Sequence, residues 1–192
     1  LVLNAMVGFD SRDSTSQRTG SVDYCALMNA DREKMGKKPL EDMVVGIPGE
    51  YSKAIYSQDV ALAFQESIRT YEKLGATVKE VSLPHANHSV AAYYVIAPAE
   101  ASSNLSRFDG VKFGLRNSQA NNLDELYFNT RTEGFGEEVK RRILVGTFVL
   151  SHGYYEAYYN QASKVRRLVL SDFDSAFEGC DFLISPSSPV LA

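Results

Sequence analysis

The sequence of 192 residues is short of cysteine and contains no long hydrophobic run. Its two cysteines, Cys25 and Cys180, lie far apart, and their spacing matches neither a metal site nor a disulfide framework. A run of about 18 consecutive apolar residues, which a membrane-spanning helix requires, does not occur. These shortages argue against a transmembrane helix and predict a reduced, cytoplasmic setting.

The sequence also lacks the positive charge of a general nucleic-acid binder. A formal net charge of −4 argues against non-specific binding of nucleic acid by the whole chain. It is compatible with a local basic patch. The candidates for such a patch are Lys164, Arg166 and Arg167, within a helix predicted over residues 154–177. A solvated helix face is the commoner explanation of such a cluster.

Neither end of the sequence has the features of a natural terminus. The start, LVLNAMVGFDSRDSTS, lacks the basic leader, apolar core and cleavage site of a signal peptide. The chain opens within an apolar segment and closes on SPSSPVLA, directly after a strand-like run. We therefore expect residues 1–192 to form a single domain, excised from the middle-to-C-terminal part of a longer protein.

The clearest pattern in the chain is a strand, a helix and a second strand. Residues 43–48 (MVVGIP) form a short apolar run that is typical of a strand buried on both faces. Ser57 is a suitable N-cap for an amphipathic helix, and Gly75 is a suitable stop. Residues 77–83 (TVKEVSL) predict the second strand. This βαβ unit implies parallel pairing and places the protein in the α/β class.

The remaining segments are assigned from local periodicity and from turn residues. Residues 10–19 are rich in Asp, Ser and Thr, which favours an ordered surface loop, although so many hydroxyls could also line a polar pocket. The other predictions are a helix tail at 1–8, an exposed connector at 35–42, a short helix at 121–133 and a strand at 181–185.

Residues 91–114 combine an aromatic start with a run of small residues. Tyr93 and Tyr94 offer a flat wall with hydroxyl groups, and the run from Ala97 to Ser103 lets another backbone or a ligand approach closely. Pro98 lies inside what otherwise reads as a helix and would free the carbonyl of Tyr94. A buried helix that tolerates one proline explains the stretch without any function.

Residues 137–150 predict a helix that turns one arginine inward. With about 100° per residue, one face is formed by Val139, Ile143, Gly146 and Leu150. Arg142 points toward this apolar face, while Arg141 lies about a third of a turn further round. An inward arginine needs an anion, which is either a structural carboxylate or a ligand, unless its head group reaches out to solvent. Gly146, one turn on, would leave room beside it.

His85 and His88 are three residues apart in the loop PHANHS. Two histidines at this spacing could share a metal ion, but no cysteine, third histidine or acidic cluster completes a ligand set. We therefore interpret them as surface histidines.

Several strings of this sequence carry a resemblance to a known family: AEASSNLSRFDG at 99–110, EGFGEEVKRRILVGTF at 133–148, DSRDSTS at 10–16 and VVGIPGEY at 44–51. The chain resembles the amidase-signature family and, within it, the branch that forms the A subunits of bacterial aspartyl/glutamyl-tRNA amidotransferases. The resemblance covers essentially the whole chain. It implies part of the α/β fold of that family, a mixed and largely parallel sheet with flanking helices.

The resemblance implies an amide-hydrolysing function. In the tRNA-dependent branch, the A subunit releases ammonia from glutamine, and the B subunit uses ATP and Mg²⁺ to amidate glutamate or aspartate mischarged on tRNA. Glutamine is then the substrate, and the B and C subunits are the partners. The mischarged tRNA is reached through the complex, and no cofactor is expected in this chain.

The catalytic group of the family is not expected among these residues. It consists of a nucleophilic Ser, a second Ser on a cis peptide and a Lys, carried by a Gly/Ser-rich signature and a Lys-bearing strand region that this sequence does not contain. The pairs Ser102-Ser103 and Ser187-Ser188 do not match that signature. We assign no catalytic and no metal-binding residue, and we expect this chain alone to be inactive.

The resemblance does carry over part of the substrate pocket. The family binds the glutamine carboxylate with an Arg on the EVKRRI helix and a Tyr on the preceding aromatic helix, which correspond to Arg142 and Tyr93. A guanidinium fork suits a carboxylate. An acidic partner for the α-amino group is expected downstream of Ala192.

Two other functions are open on the sequence alone. One is a stand-alone amidase of the same superfamily that acts on a different amide. The other is a non-catalytic module that binds tRNA through Lys164, Arg166 and Arg167.

Overall fold

A computed structural model describes residues 1–13, 15–20, 22–34, 38–55 and 57–190. The chain divides into two compact units. The first comprises Leu1–Ile47, Ile55–Glu80 and Cys180–Ala192, and the second comprises Pro48–Ala54 and Val81–Gly179. That residues 1–192 form a single domain stays a prediction.

The described residues contain helices and three strands in mixed order. In chain order the elements are α1 (Val2–Met6), α2 (Tyr24–Lys34), β1 (Val44–Pro48), α3 (Gly49–Lys53), α4 (Gln58–Lys73), β2 (Thr77–Val81), a 3₁₀ turn (Ala86–His88), α5 (Ser89–Leu105), α6 (Leu123–Gly134), α7 (Glu137–Val149), a π-helical segment (Tyr155–Asn160), α8 (Gln161–Phe177) and β3 (Phe182–Leu183).

The three strands form one sheet in the order β2-β1-β3. β1 and β3 are parallel, with Val45 opposite Phe182 and Gly46 opposite Leu183. As its continuous apolar run predicts, the central strand is largely buried, and Val45 is fully buried. This small parallel sheet with flanking helices confirms the predicted α/β class.

Helix α4 begins directly after Ser57 and ends before Gly75, as the sequence predicts. Gly75 has a φ of +106°, in the region that favours glycine, so it allows the chain to turn out of the helix. A side chain at this position would also lie 3.0 Å from Lys38 Cβ. Glycine is therefore favoured at position 75, after the end of α4, both by the backbone conformation and by the lack of space for a side chain.

Four elements differ from the sequence-based predictions. α2 and the short α3 were not predicted, and a π-helical segment precedes α8 in place of one continuous helix from 154 to 177. Strand β3 is shorter than the predicted range 181–185. Of the predicted connector 35–42, residues 35–37 lie outside the described residues, and the remainder forms turns.

In the second unit, α5 packs against α7 and α8. α5 continues across Pro98, which is buried together with Ala92 and Ala99. A Cβ added to Gly146 of α7 would overlap the carbonyl of Pro98 and would lie 2.7 Å from Ser102 Cβ. The small residues of α5 and the glycine of α7 therefore allow the two backbones to approach closely.

None of the helices in the described part of the chain is long and apolar enough to cross a membrane.

Candidate functional site

Helix α7 turns Arg142 toward the packed side of the helix. Its side chain is 35% exposed, whereas that of Arg141 is 71% exposed. The two residues that flank it on the helical wheel, Gly146 and Val149, are buried. The inward orientation of Arg142, rather than Arg141, is thus confirmed.

Arg142 has two partners, one on its own helix and one on α5. Its Nε lies 3.1 Å from Oε1 of Glu138, one turn earlier. Its guanidinium also interacts with the side-chain hydroxyl of Tyr93. The Tyr93 hydroxyl first, and then the charge of Glu138, raise the pKa of Arg142 above its usual value. The structure therefore brings together the two residues assigned to the substrate pocket.

The anion that an inward arginine requires is present in the protein. The sequence allowed either a carboxylate of the protein or a ligand as this anion, and in the structure the carboxylate of Glu138 pairs with Arg142. A guanidinium nevertheless carries five N–H donors, so Glu138 and Tyr93 leave donors for a further acceptor. That Arg142 and Tyr93 bind a substrate stays a prediction.

Tyr93 is accessible from solvent, with 53% of its surface exposed. Its ring meets that of Tyr94 edge-on, with 5.4 Å between the ring centroids. It also lines a cavity of about 240 Å³ with Ala92, Ile96 and Arg166, among others. Because Arg142 is not among the lining residues, this apolar cavity lies to one side of the Arg142–Tyr93 pair.

The prediction that Gly146 leaves room beside Arg142 is wrong. The space next to Gly146 is filled by the backbone of Pro98 and the side chain of Ser102. Ser102 Oγ lies 2.9 Å from Thr147 Oγ1, so this serine ties α5 to α7. Gly146 positions the helix that carries Arg142, but it forms no part of a cavity.

A second polar pair in the same unit joins His85 to Asp172. Asp172 is 8% exposed; it accepts a hydrogen bond from the backbone N–H of His85 at 2.7 Å and lies 2.8 Å from its Nδ1. Burial raises the pKa of Asp172, but the hydrogen bonds from His85 outweigh burial, and the net effect lowers the pKa. His85 is thus half-buried and paired, unlike the surface histidine predicted from the sequence.

Asp172 is not among the residues predicted for a site, although the sequence contains a signal for it. Asp172 lies three residues after Val169, within the apolar stripe of α8. A carboxylate on an apolar stripe must be paired when it is buried. Among the described residues, no three His, Cys, Asp or Glu side chains are close enough together to hold a metal ion.

A larger cleft of about 510 Å³ lies between α6 and α7, and none of the sequence-based predictions includes it. Its walls include Phe128, Arg131 and Leu144. The Nη1 of Arg131 donates to the carbonyls of Leu105 and Phe108, so its charge is used to hold the end of α5 and the following turn. The basic cluster on α8, by contrast, faces solvent: Lys164, Arg166 and Arg167 are exposed.

Comparison with known families gives a match over the whole chain. The family model described as Amidase matches residues 1–192. The A subunit of the glutamyl-tRNA(Gln) amidotransferase of Nitrosomonas eutropha is 55% identical over 192 residues, and the corresponding protein of Herminiimonas arsenicoxydans is 54% identical. In both cases the match covers all of this chain and 38% of the relative. The chain therefore spans well under half the length of these curated relatives.

Solved structures give the same result for the fold. The A subunit of the glutamyl-tRNA(Gln) amidotransferase from Thermotoga maritima matches 96% of this chain and 33% of its own, with 35% identity and a TM-score of 0.55. A bacterial aryl acylamidase of the amidase-signature enzymes matches 99% of this chain and 36% of its own, with 14% identity and a TM-score of 0.55. The second likeness concerns the fold alone.

Proposed function

Since this chain belongs to the amidase-signature family, we propose that it is part of the glutamine-hydrolysing A subunit of a glutamyl-tRNA(Gln)/aspartyl-tRNA(Asn) amidotransferase. Such a protein releases ammonia from glutamine for the amidation of mischarged tRNA. The observation that carries this proposal is the Arg142–Tyr93 pair, in a chain 55% identical to the A subunit of a glutamyl-tRNA(Gln) amidotransferase.

The pair is suited to hold the α-carboxylate of glutamine. A planar guanidinium can donate two parallel hydrogen bonds to the two carboxylate oxygens, and a tyrosine hydroxyl can donate a third. Because the pair binds only the α-carboxylate end of glutamine, the side-chain amide remains free to approach a nucleophile. The role of these residues is thus to bind and orient the substrate.

The chemistry and the partners belong to the intact assembly. A nucleophilic Ser, a second Ser and a Lys lie, on this proposal, in the part of the full-length protein outside this chain. The B and C subunits complete the complex, ATP and Mg²⁺ serve the amidation step, and the tRNA is bound by the complex. An enzyme of translation of this kind works in the cytoplasm.

The proposal is tested by Arg142→Ala in the full-length protein. Because the variant loses a charged hydrogen-bond donor to the carboxylate, the KM for glutamine should rise by roughly 10- to 150-fold. Steady-state ammonia release measures this KM. Arg141→Ala is the matched comparison and should raise the KM much less than Arg142→Ala, since Arg141 faces solvent. An unchanged KM in Arg142→Ala would reject the assignment.

A further inference from the structure

Glu138 holds two arginines at once. Its Oε2 lies 2.6 Å from Nη1 of Arg141, and its Oε1 lies 3.1 Å from Nε of Arg142. The side chain of Glu138 is 57% exposed, so its charge is solvated and does not require a partner to offset burial. The arrangement therefore calls for an explanation other than the neutralisation of a core charge.

The atom of Arg142 that Glu138 contacts matters for the geometry of the guanidinium. Nε is the nitrogen nearest the chain, and a bond to it fixes the rotation of the planar group about its last flexible bond. The two terminal nitrogens make no contact with Glu138 and remain available to a ligand. Those terminal N–H groups form the end of the guanidinium fork that binds a carboxylate bidentately.

Arg141 completes the arrangement from the solvent side. Its bond to the second oxygen of Glu138 restrains the carboxylate plane, which would otherwise rotate freely on an exposed side chain. The charges also agree with this role. Two arginines and one glutamate leave one positive charge, whereas the neighbouring Lys140 is already paired with Glu137 at 2.7 Å. One anionic ligand group balances the cluster.

We propose that Glu138 is a positioning residue, which orients the guanidinium of Arg142 for the carboxylate of the amide donor and is itself braced by Arg141. This inference rests on the proposed function of Arg142. Glu138 makes no contact with the substrate in this arrangement. It acts through Arg142, so its effect is on substrate affinity and not on the chemical step.

The test compares three variants of the full-length protein in the assembled complex. Glu138→Ala removes the acceptor and should raise the KM for glutamine about tenfold, with kcat changed less than about twofold. Glu138→Gln keeps an oxygen acceptor for Nε and should restore a KM within about threefold of the original. Glu137→Ala is the control. Glu137 also lies in the first turn of α7, where its charge interacts with the helix dipole in the same way, but it pairs with Lys140 and not with Arg142.

A double variant separates positioning from a general structural effect. If Glu138 acts only through Arg142, then Glu138→Ala combined with Arg142→Ala should give the KM of Arg142→Ala alone. Additive effects, or equal losses in Glu137→Ala and Glu138→Ala, would overturn the positioning role. A KM that is unchanged or lowered in Glu138→Ala, with a raised KM in Arg142→Ala, would overturn the positioning role alone. An unchanged KM in Arg142→Ala would overturn the proposed site and this inference together.

Discussion

At the scale of single residues, Asp172 links the stability of the second unit to pH. Its folded pKa is lowered, so the pair with His85 stabilises the folded state above the unfolded pKa of about 3.9. This stabilisation is lost as the pH falls through the lowered folded pKa. The group is deeply buried, so its loss leaves the N–H groups of His85 without their acceptor.

Asp172→Asn should therefore lower the free energy of unfolding at neutral pH by about 1–3 kcal/mol. The free energy of unfolding should also decrease less between neutral and acidic pH in this variant than in the original protein. Urea unfolding at pH 7 and near pH 3 measures both effects in the full-length protein. Asp174→Asn, an exposed position on the same helix, should stay within about 0.5 kcal/mol of the original. Parallel pH profiles for Asp172→Asn and the unaltered protein would contradict the role assigned to the carboxylate.

The orientation of one residue of the site could be predicted from the sequence, but the contacts of its neighbours could not. The helical wheel separated Arg142 from Arg141 because the two differ by about 100° around α7, and apolar neighbours mark the packed side. It could not predict that Glu138 bonds Nε of Arg142, since (i, i+4) spacing allows several rotamers on an exposed face. The pairing of His85 with Asp172 joins residues 87 apart in the chain, which periodicity cannot detect.

At the scale of helices, the crossing of α5 and α7 is set by Gly146. Alanine at this position gains about 1 kcal/mol of helix propensity. Its Cβ, however, would overlap the backbone carbonyl of Pro98, which cannot rotate away as a side chain could. Overpacking of this kind costs about 1–3 kcal/mol, so the steric term should prevail.

Gly146→Ala should accordingly lower the thermal unfolding midpoint. Gly134→Ala in α6 is the matched control, because its new Cβ would meet Leu115 at an ordinary contact distance of 3.4 Å. That control should be neutral or slightly stabilising by comparison with the original protein. If Gly146→Ala unfolded at the same temperature as Gly134→Ala, the close approach at Pro98 would not be rigid.

The elements that could be predicted are those with regularly spaced apolar residues or with a glycine that ends the helix. The strand at 43–48, the helix ending before Gly75 and the helix from Glu137 all follow from apolar spacing. α2 was missed because it leaves apolar side chains in solvent, with Leu27 57% and Met28 72% exposed, so no periodic pattern marks it. The π-helical segment Tyr155–Asn160 runs directly into α8, and its residues do not encode the extra residue per turn.

At the scale of the whole molecule, the proposed binding function lies in a chain to which we assign no reactive groups. It spans 38% of the length of its Nitrosomonas eutropha relative. We expect the purified chain of 192 residues to release no ammonia from glutamine, and the full-length protein in its complex to release it. Measurable turnover by the chain alone would place a nucleophile among these residues.

The contact between Gly146 and Pro98 also constrains how such a protein can evolve. Tyr93 is carried by α5 and Arg142 by α7, so the distance between the two helices sets the distance between these side chains. A larger residue at position 146 would change the spacing of the Arg142–Tyr93 pair as well as the packing of the two helices. If the pair holds the substrate as proposed, selection on substrate affinity also acts on position 146, because a larger side chain there meets a backbone carbonyl that any residue at position 98 would present.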